Sequence, residues 1–360
     1  MRSTRRTLLG AMAGLGVTSL AGCLGGRDGR DGERSAGDGN ADADLPTAET
    51  RLHLAHDLEH LRENTVSGGV SKDGIPSIDE PTFADAADVD LADGAPVFGV
   101  IRNGEARAYP QSVLVWHEIV NDTIGDEPIA VAYCPLTGTT QGFERGGVEF
   151  GVSGRLVNSN LVMYDRATDS RWPQVLATAI DGPFEDRSLR EFRVVWTTWA
   201  NWRDVHPETG VLTEETGYSR RYGSDPYGSY DPAEGYYASD NTIFSPLVED
   251  DRERPKTVVI GTRTPEGALA FGKSALLESR VLSGELADTE YVAVADTPLE
   301  TGYVYANPAG ASVEPDGERY LVDGEAYDAA DLPLDDSLAF DAMWFAWAGF
   351  YPDTGYVGGA

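Results

Sequence analysis

The chain has 360 residues, with 28 lysines and arginines against 60 aspartates and glutamates, so its formal net charge is −32 at pH 7. A surface this acidic repels phosphate backbones and anionic headgroups, which excludes nucleic acid and anionic membrane surfaces as partners. Hydrophobic residues make up 41% of the chain, so the composition also excludes a largely disordered protein. The excess of carboxylates suits a high-salt medium, where screening removes self-repulsion, and equally serves solubility at ordinary salt.

The first 23 residues are typical of an export signal. Arg5 and Arg6 precede an apolar run over residues 8–21, which at about 14 residues is shorter than the roughly 20 that a membrane-spanning helix needs. The run leads to Leu-Ala-Gly-Cys, with Cys23 at the position that a lipoprotein signal modifies with lipid. The sequence therefore predicts twin-arginine export and a lipid anchor at the extracytoplasmic face of the membrane. An uncleaved anchor or a plain secretory peptide would also place the protein outside the cytoplasm.

Residues 24–50 are mostly Gly, Asp, Arg, Ala and Ser, with few apolar side chains, so we expect a flexible tether. The N-terminal segment that follows, residues 51–91, begins with leucines interleaved with His53, His56 and His60. Spacings of three and four residues place the imidazoles near one helical face, where they could hold a metal ion. A solvated polar face is the simpler interpretation.

Three blocks of sequence recur in the same order, which indicates an internal duplication. The matching pairs are residues 108–109 with 270–271 at an offset of 162, residues 129–136 with 292–299 at 163, and residues 199–209 with 344–354 at 145. We therefore expect two copies of one unit, over residues 92–212 and 255–357. A connecting segment rich in Tyr, Gly and Asp, residues 213–254, joins them.

Local signals within a unit favour short strands and turns. Asn103-Gly104 and Gly146-Gly147 each separate two apolar stretches, as in a β-hairpin. Short helices are predicted over residues 111–120 and 199–205, the second ending before Pro207. These signals predict a strand-rich α+β fold in which two tandem related units pack pseudo-symmetrically.

The most distinctive candidate site lies around Cys134, which ends an apolar strand just before Pro135 and a glycine-containing loop. If Cys23 carries lipid, Cys134 is the only thiol left, and no internal disulfide can form. His117 is the nearest candidate partner. It could take the thiol proton. Alternatively, Cys134 is a small buried side chain with a structural role.

Other side chains could complete such a site. In a thiol enzyme, Glu118 or Asp165 would orient His117 as the base. In a metal site, Cys134 and His117 would bind copper or zinc together with His206. The aligned positions of Cys134 and His117 in the second unit are Thr297 and Ser279, so we expect one active unit and one degenerate scaffold unit.

A second polar cluster follows a short distance along the chain. It consists of Asn158, Asn160, Tyr164, Asp165 and Arg166, interrupted by apolar residues. Because a strand sends alternate side chains to one face, these residues are candidates for a ligand-binding pocket with Arg166 as an anion clamp. A turn at Asp165 and Arg166 with ordinary capping bonds is the alternative.

Several long motifs lie between residues 92 and 357. They are Gly-Glu-Ala-Arg-Ala-Tyr-Pro at 104–110, His-Glu-Ile-Val-Asn-Asp at 117–122, Tyr-Cys-Pro-Leu at 133–136, Phe-Gly-Val-Ser-Gly at 150–154, Asn-Ser-Asn-Leu-Val-Met-Tyr-Asp-Arg at 158–166, His-Pro at 206–207 and Tyr-Pro-Asp-Thr at 351–354. In these motifs the chain resembles the exported bacterial and archaeal proteins of domain-of-unknown-function family 3179. The resemblance implies no activity. Family members commonly carry Cys-Pro-Leu-Cys, where this chain has Thr137, so a vicinal dithiol cannot form and a two-cysteine metal site loses one ligand.

The sequence leaves three functions open. The preferred one is a lipid-anchored extracytoplasmic binding protein that holds a small ligand or a soft metal ion near Cys134 and His117. The first alternative is an enzyme with Cys134 as nucleophile and His117 as base, and the second is a structural module of the cell envelope. Because Cys134 lacks a glycine-flanked or dyad signature, binding is favoured over turnover.

Overall fold

Short strands dominate the part of the chain that the structure describes, which is residues 44–358 of a computed structural model. Its α-helices are α1 (Leu58–Glu63), α2 (Gln111–Leu114), α3 (Trp199–Val205), α4 (Lys273–Ser279) and α5 (Trp344–Phe350). The strands up to residue 235 are β1 (Val66–Ser67), β2 (Phe83–Asp85), β3 (Pro96–Arg102), β4 (Glu105–Pro110), β5 (Ile119–Ile124), β6 (Glu127–Cys134), β7 (Thr139–Glu144), β8 (Phe150–Val157), β9 (Asn160–Asp165), β10 (Arg171–Pro173), β11 (Glu191–Phe192), β12 (Val195–Thr198), β13 (Gly210–Leu212), β14 (Gly228–Tyr230) and β15 (Ala233–Gly235). The later strands are β16 (Val258–Thr264), β17 (Gly267–Gly272), β18 (Val281–Leu286), β19 (Thr289–Asp296), β20 (Thr301–Ala306), β21 (Val313–Asp316), β22 (Arg319–Val322), β23 (Glu325–Tyr327), β24 (Asp335–Ser337), β25 (Ala339–Met343) and β26 (Gly355–Val357). The predicted strand-rich α+β class is confirmed.

Each half of the body contains a sheet of the same connectivity. In the first half the order is β12-β3-β4-β13, with β2 added at the edge, and in the second half it is β25-β16-β17-β26. In both sheets the last strand runs parallel to its neighbour, whereas the other pairs of this common order are antiparallel. A second sheet in each half is a meander, β5-β6-β7-β11 or β18-β19-β20-β24.

The two meanders have the same register at an offset of 162 residues. Ile119 pairs with Ala132 in the first, and Val281 pairs with Val294 in the second. The offset of 163 for the block at residues 129–136 is therefore wrong by one residue: Ile-Ala-Val-Ala and Val-Ala-Val-Ala match in residue type, but that match does not correspond to the pairing of the strands. Asp296, and not Thr297, occupies the register position of Cys134.

A tryptophan packs against a glycine at the centre of each half. A Cβ atom at Gly99 on β3 would overlap the ring of Trp202, and a Cβ at Gly261 on β16 would overlap the ring of Trp347. In each half the indole Nε1 donates a hydrogen bond at 3.0 Å to a threonine hydroxyl just beyond the helix, Thr209 or Thr354. Each glycine is therefore required by the close approach of a helix to its sheet.

The two halves contact each other through backbone and guanidinium groups. The Met343 amide donates to the Thr137 carbonyl at 2.9 Å. Arg193 donates from the first half to the carbonyls of Ala339 and Gly302 at 3.0 and 2.6 Å. The loop after Cys134 is thus held in place by the second half.

Two of the predicted turns and helices are confirmed. The turn at Asn103-Gly104 joins paired residues of β3 and β4, with φ of 52° and 77°, as a two-residue hairpin turn requires. Helix α3 has the predicted bounds, and the Thr198 hydroxyl accepts a hydrogen bond from the Asn201 amide at its start.

Three local predictions are wrong. The helix predicted over residues 111–120 ends at Leu114, because Glu118 adopts a left-handed φ of 58° and the chain then enters β5. Gly146-Gly147 is no hairpin, since β7 and β8 belong to different sheets. The predicted tether extends too far, because Leu45 is buried and Thr47 pairs with Leu189.

We predict that Gly99→Ala destabilises the protein by about 1–3 kcal/mol, because the added methyl group overpacks the contact with Trp202. The measurement is chemical denaturation followed by tryptophan fluorescence. Gly223→Ala is the control, since a Cβ at Gly223 has no atom within 4 Å. Equal denaturation midpoints for the two variants would contradict this packing.

Candidate functional site

Cys134 lies at the end of β6, directly opposite Thr139 of β7. Its side chain is 1% exposed, and its thiol donates a long hydrogen bond of 3.7 Å to the Ser159 carbonyl. Burial, together with the nearby carboxyl of Glu118, raises the pKa of the Cys134 thiol to about 11. The thiol is therefore neutral at physiological pH, and it is not an activated nucleophile.

His117 lies close in sequence but is engaged elsewhere. Its Nδ1 is 2.7 Å from the Pro76 carbonyl oxygen and its Nε2 is 2.7 Å from the Tyr222 hydroxyl. The Nδ1 proton is therefore donated to the carbonyl, and Nε2 accepts from Tyr222. Burial lowers the pKa of His117, so the ring is neutral. The predicted pairing of Cys134 with His117 as its base is not formed, since both ring nitrogens have other partners.

Glu118, rather than His117, is the ionisable group that acts on the Cys134 thiol. The Glu118 carbonyl accepts a 2.7 Å hydrogen bond from the Tyr133 amide, which brings the residue alongside the end of β6. Its side chain is 7% exposed, and burial raises the pKa of its carboxyl to about 8. Within residues 44–358 the carboxyl makes no hydrogen bond or ion pair. Its oxygens are not among the fully enclosed polar atoms that lack a partner, so the carboxyl is not cut off completely, although burial removes most of its hydration.

The same site includes a tyrosine from the connecting segment. The pKa of Tyr227 is raised by burial and by the nearby Glu118 and Cys134 groups. Tyr227, Tyr236 and Phe244 all pack against the core that contains Cys134. We refer to Glu118, Cys134 and Tyr227 as the buried thiol site.

Residues 213–254, which we call the covering segment, close this site through hydrogen-bonded aromatic residues. Tyr236 donates to the Leu136 carbonyl at 2.7 Å, and the hydroxyls of Tyr230 and Tyr133 are 2.9 Å apart. Asp225 accepts from Tyr237 at 2.9 Å and from Gln111 at 2.7 Å. From the sequence this segment is predicted only to connect the two units, although its abundance of tyrosine is a signal that it packs against the core.

Asn158, Asn160 and Asp165 have structural partners for their polar atoms. Asn160 donates to Thr137 and Gln174, both at 3.0 Å, and accepts from the Val175 amide. Asn158 donates to the Ala346 carbonyl and accepts from the Leu247 amide. Asp165 accepts from the Thr168 amide and from Trp172 Nε1. These hydrogen bonds hold the halves and turns together and leave little capacity for a ligand.

Tyr164 is buried and Arg166 is exposed, and both line an open cleft of about 520 Å³. Tyr164 donates to Asp73 at 2.6 Å, and Arg166 donates to Asp79 at 2.9 Å and to Glu149 at 3.3 Å. Three carboxylates within 4 Å surround the guanidinium, so an anion would have to displace them. The predicted anion clamp is already neutralised.

His206 lies away from the buried thiol site, at the end of α3, where its ring stacks on Trp202 with centroids 4.3 Å apart. It lines a different cleft, of about 580 Å³, beside Glu105 and Arg107. Among residues 44–358, no three or more His, Cys, Asp and Glu side chains form a group that could hold a metal ion. The predicted copper or zinc site of Cys134, His117 and His206 is therefore not assembled.

The histidines of the N-terminal segment do not share a helical face. Helix α1 begins at Leu58, after Asp57 as its N-cap, so only His60 lies on it. His56 Nε2 donates to the Gly349 carbonyl at 2.8 Å, which requires a proton on Nε2, and its ring stacks on His60. His53 packs near Tyr351. Cys23, the predicted lipidation site, lies outside the described residues.

We predict that Cys134 in the folded protein resists alkylation at about pH 8, since a thiol with a pKa near 11 has little thiolate there. Iodoacetamide labelling followed by mass spectrometry measures the rate. In denaturant the unfolded protein should be labelled quickly, which serves as the positive control. Fast labelling of the folded protein would contradict the neutral, buried thiol.

We also predict that burial of the Glu118 carboxyl lowers the free energy of unfolding, and that this loss grows as pH rises. Its carboxyl has a pKa of about 8 in the folded chain, against a usual value of 4.5. The folded protein therefore holds a proton that the unfolded chain releases, and stability falls as pH rises between these values. Glu118→Gln should remove this fall. Denaturation of both proteins between about pH 5 and pH 8 measures it, and a difference that does not grow with pH would contradict the burial of an unpaired carboxyl.

Comparison with known proteins supports the motif-based resemblance. No curated protein and no solved structure matches the chain. The family model described as a protein of unknown function, DUF3179, matches residues 72–354, a range that includes both halves and the buried thiol site. The chain therefore belongs to the DUF3179 family.

Proposed function

We propose that the protein is an extracytoplasmic, lipid-anchored binding protein whose buried thiol site holds a small ligand. One observation supports this most directly. The Glu118 carboxyl is 7% exposed and has no hydrogen-bond partner within residues 44–358. A ligand that donates a hydrogen bond to this carboxyl would replace the hydration lost on burial. The binding free energy would then include that hydrogen bond.

The geometry favours binding over thiol-dependent catalysis. An enzyme of the predicted kind needs a thiolate and a base within hydrogen-bond reach. Cys134 instead has its pKa raised to about 11, and both nitrogens of His117 are already engaged. A small organic ligand is also favoured over copper or zinc, because Cys134 and Glu118 have no third ligating side chain beside them among the described residues.

We extend the proposal to the origin of the fold: the two units over residues 92–212 and 255–357 are related copies that pack pseudo-symmetrically. The matching strand orders, the common offset of 162 in β3 to β7 and β16 to β20, and the paired glycine and tryptophan contacts support this. A duplicated fold commonly keeps its site in one copy.

The position equivalent to Glu118 illustrates why only the first unit would bind. Arg280 occupies it with the same left-handed backbone, φ of 72° against 58°. Its guanidinium donates to the Tyr320 hydroxyl at 3.2 Å and to the Gly317 carbonyl. The second unit thus fills this place with its own hydrogen bonds, as expected of a scaffold.

The proposed location depends on the N-terminal sequence. Arg5, Arg6 and Cys23 support export followed by lipid attachment. In residues 44–358, no helix has the length and apolar character needed to cross a membrane. A net charge of −32 is compatible with an exposed position in a salt-rich medium.

We predict that Cys23→Ser releases the protein from the membrane into the medium, because the lipid attachment that holds it at the surface is lost. Fractionation of expressing cells, with immunoblots of membrane and medium, measures the distribution. Lys72→Ser, which leaves the signal intact, is the control. If Cys23→Ser stays in the membrane fraction like the control, the lipid anchor is not on Cys23.

We predict that protein exported by its native host carries a bound small molecule that depends on Glu118. Native mass spectrometry of the intact protein, followed by identification of the released compound, provides the readout. Glu118→Gln should lose the extra mass, whereas Glu63→Gln at the exposed end of α1 should keep it. The same bound mass in the unmodified protein and in both variants would argue against the buried thiol site.

A further inference from the structure

Three tyrosines and one tryptophan form a connected aromatic group where the covering segment meets the first half. They are Trp196 on β12, Tyr133 on β6, and Tyr230 and Tyr237 of the covering segment. We propose that this group is a one-electron relay. An oxidising radical in solution takes an electron at Trp196, and the oxidation passes to Tyr237, whose proton moves to Asp225. This activity is independent of any ligand at the buried thiol site.

The rings lie in direct contact along one path. The rings of Trp196 and Tyr230 meet edge to face, with centroids 5.1 Å apart. The rings of Tyr230 and Tyr237 are stacked, with centroids 3.8 Å apart and planes inclined by 21°. This stack is closer than the ~4.5–7 Å that is usual for aromatic pairs. Because electron transfer falls steeply with distance, contacts this short let an electron pass from ring to ring.

Trp196 is the end of the path that an oxidant in solution can reach. The chain has seven tryptophans, all within residues 44–358, and only Trp116 and Trp196 among them are half-buried. The other five are buried: Trp172, Trp199, Trp202, Trp344 and Trp347. Trp196 lines an open cleft of about 220 Å³ together with Tyr230. The surface therefore connects to the aromatic group through this one indole.

Tyr237 has the proton acceptor that a lasting tyrosyl radical needs. An oxidised phenol is a strong acid, so its proton must move to a nearby base. Asp225 Oδ2 accepts from the Tyr237 hydroxyl at 2.9 Å and from Gln111 at 2.7 Å, and Asp225 Oδ1 accepts from the Tyr227 amide at 2.7 Å. Three donors directed at one carboxyl favour its ionised form, which can take the proton.

Tyr133 and Tyr230 differ from Tyr237 in this respect. Their hydroxyls are 2.9 Å apart, and Gln111 donates to the Tyr133 hydroxyl at 3.3 Å. Within residues 44–358, neither hydroxyl donates to a carboxylate. A phenol whose proton can move only to another phenol is harder to oxidise, so the oxidation passes through Tyr230 and settles on Tyr237.

The steps of the relay conserve electrons and protons. The oxidising radical gains one electron and becomes an anion, and Trp196 loses that electron. An electron from Tyr237 then reaches Trp196 through Tyr230, while the Tyr237 proton moves to Asp225 Oδ2. The products are a neutral tyrosyl radical and a restored indole. A small reductant in solution, such as ascorbate, returns one electron to Tyr237, and Asp225 returns the proton.

Pulse radiolysis of the full mature protein with the azide radical, a one-electron oxidant selective for tryptophan, tests the relay. The tryptophan radical should convert into a tyrosyl radical in a first-order step whose rate is independent of protein concentration. Trp196→Phe should lose this conversion, whereas Trp116→Phe, at the other half-buried tryptophan, should keep it. Tyr237→Phe should also lose it, and Tyr218→Phe, at a tyrosine that is 46% exposed, should keep it.

Proton movement has its own readout. The conversion should be slower in deuterium oxide and in Asp225→Asn, because the Tyr237 proton moves as the electron leaves and an amide is a poor base. Rates that are unchanged in both experiments would overturn the assignment of Asp225 as the acceptor.

Equal conversion in Trp196→Phe and Trp116→Phe, or a rate proportional to protein concentration, would overturn the relay. If Trp196→Phe or Tyr237→Phe fails to fold, spin trapping of the oxidised, unmodified protein followed by peptide mapping decides the same point. Adducts on Tyr237 or Tyr230 are the expected result, and adducts confined to exposed tyrosines such as Tyr218 would contradict the relay.

Discussion

The Glu118 carboxyl is buried in the first half and has no hydrogen-bond partner among residues 44–358, at the residue where the chain turns from α2 into β5. The left-handed φ of 58° at Glu118 and the hydrogen bond between its carbonyl and the Tyr133 amide fix this turn. The backbone that positions the strand therefore also directs the side chain inward, beside Cys134. Burial of an ionisable group without a partner opposes folding.

The second half makes the same turn with a different result. Arg280 has the same sign of φ, but its Nε donates to the Tyr320 hydroxyl and its Nη1 to the Gly317 carbonyl, while its Nη2 is buried without a hydrogen-bond partner among the described residues. Asp296 stands where Cys134 stands in the first half. The same backbone turn thus carries a carboxyl in one half and a guanidinium in the other. The difference lies in the side chains at two register positions and in the tyrosines that cover the first half alone.

Much of the architecture could be predicted from local sequence signals. The turn at Asn103-Gly104 and helix α3 have strong local determinants, a left-handed glycine and a threonine cap, and both were found. The paired blocks predict the repeated order of elements, but the alignment of β6 with β19 is wrong by one residue, because similar residue types align at an offset of 163 whereas the strand pairing follows an offset of 162. The partner of Cys134 was predicted as His117 from residue type alone. Pro76 and Tyr222, which engage that imidazole, are 41 and 105 residues away in sequence, and no local pattern reveals such contacts. The sequence predicts only an orienting role for Glu118. Burial changes the chemistry of its carboxyl, and burial is a result of tertiary packing that the sequence does not reveal.

The protonation state of Glu118 in the folded, ligand-free protein is the quantity on which these conclusions depend. Its carboxyl stretching band can be followed by infrared difference spectroscopy across a pH titration, with Glu118→Gln used to assign the band. Burial without a partner predicts that the protonated carboxyl persists at neutral pH and that the band converts to carboxylate at about pH 8. Conversion near the usual value of 4.5 would mean that water or a protein group already satisfies the carboxylate, and the buried thiol site would then have no unmet need for a ligand.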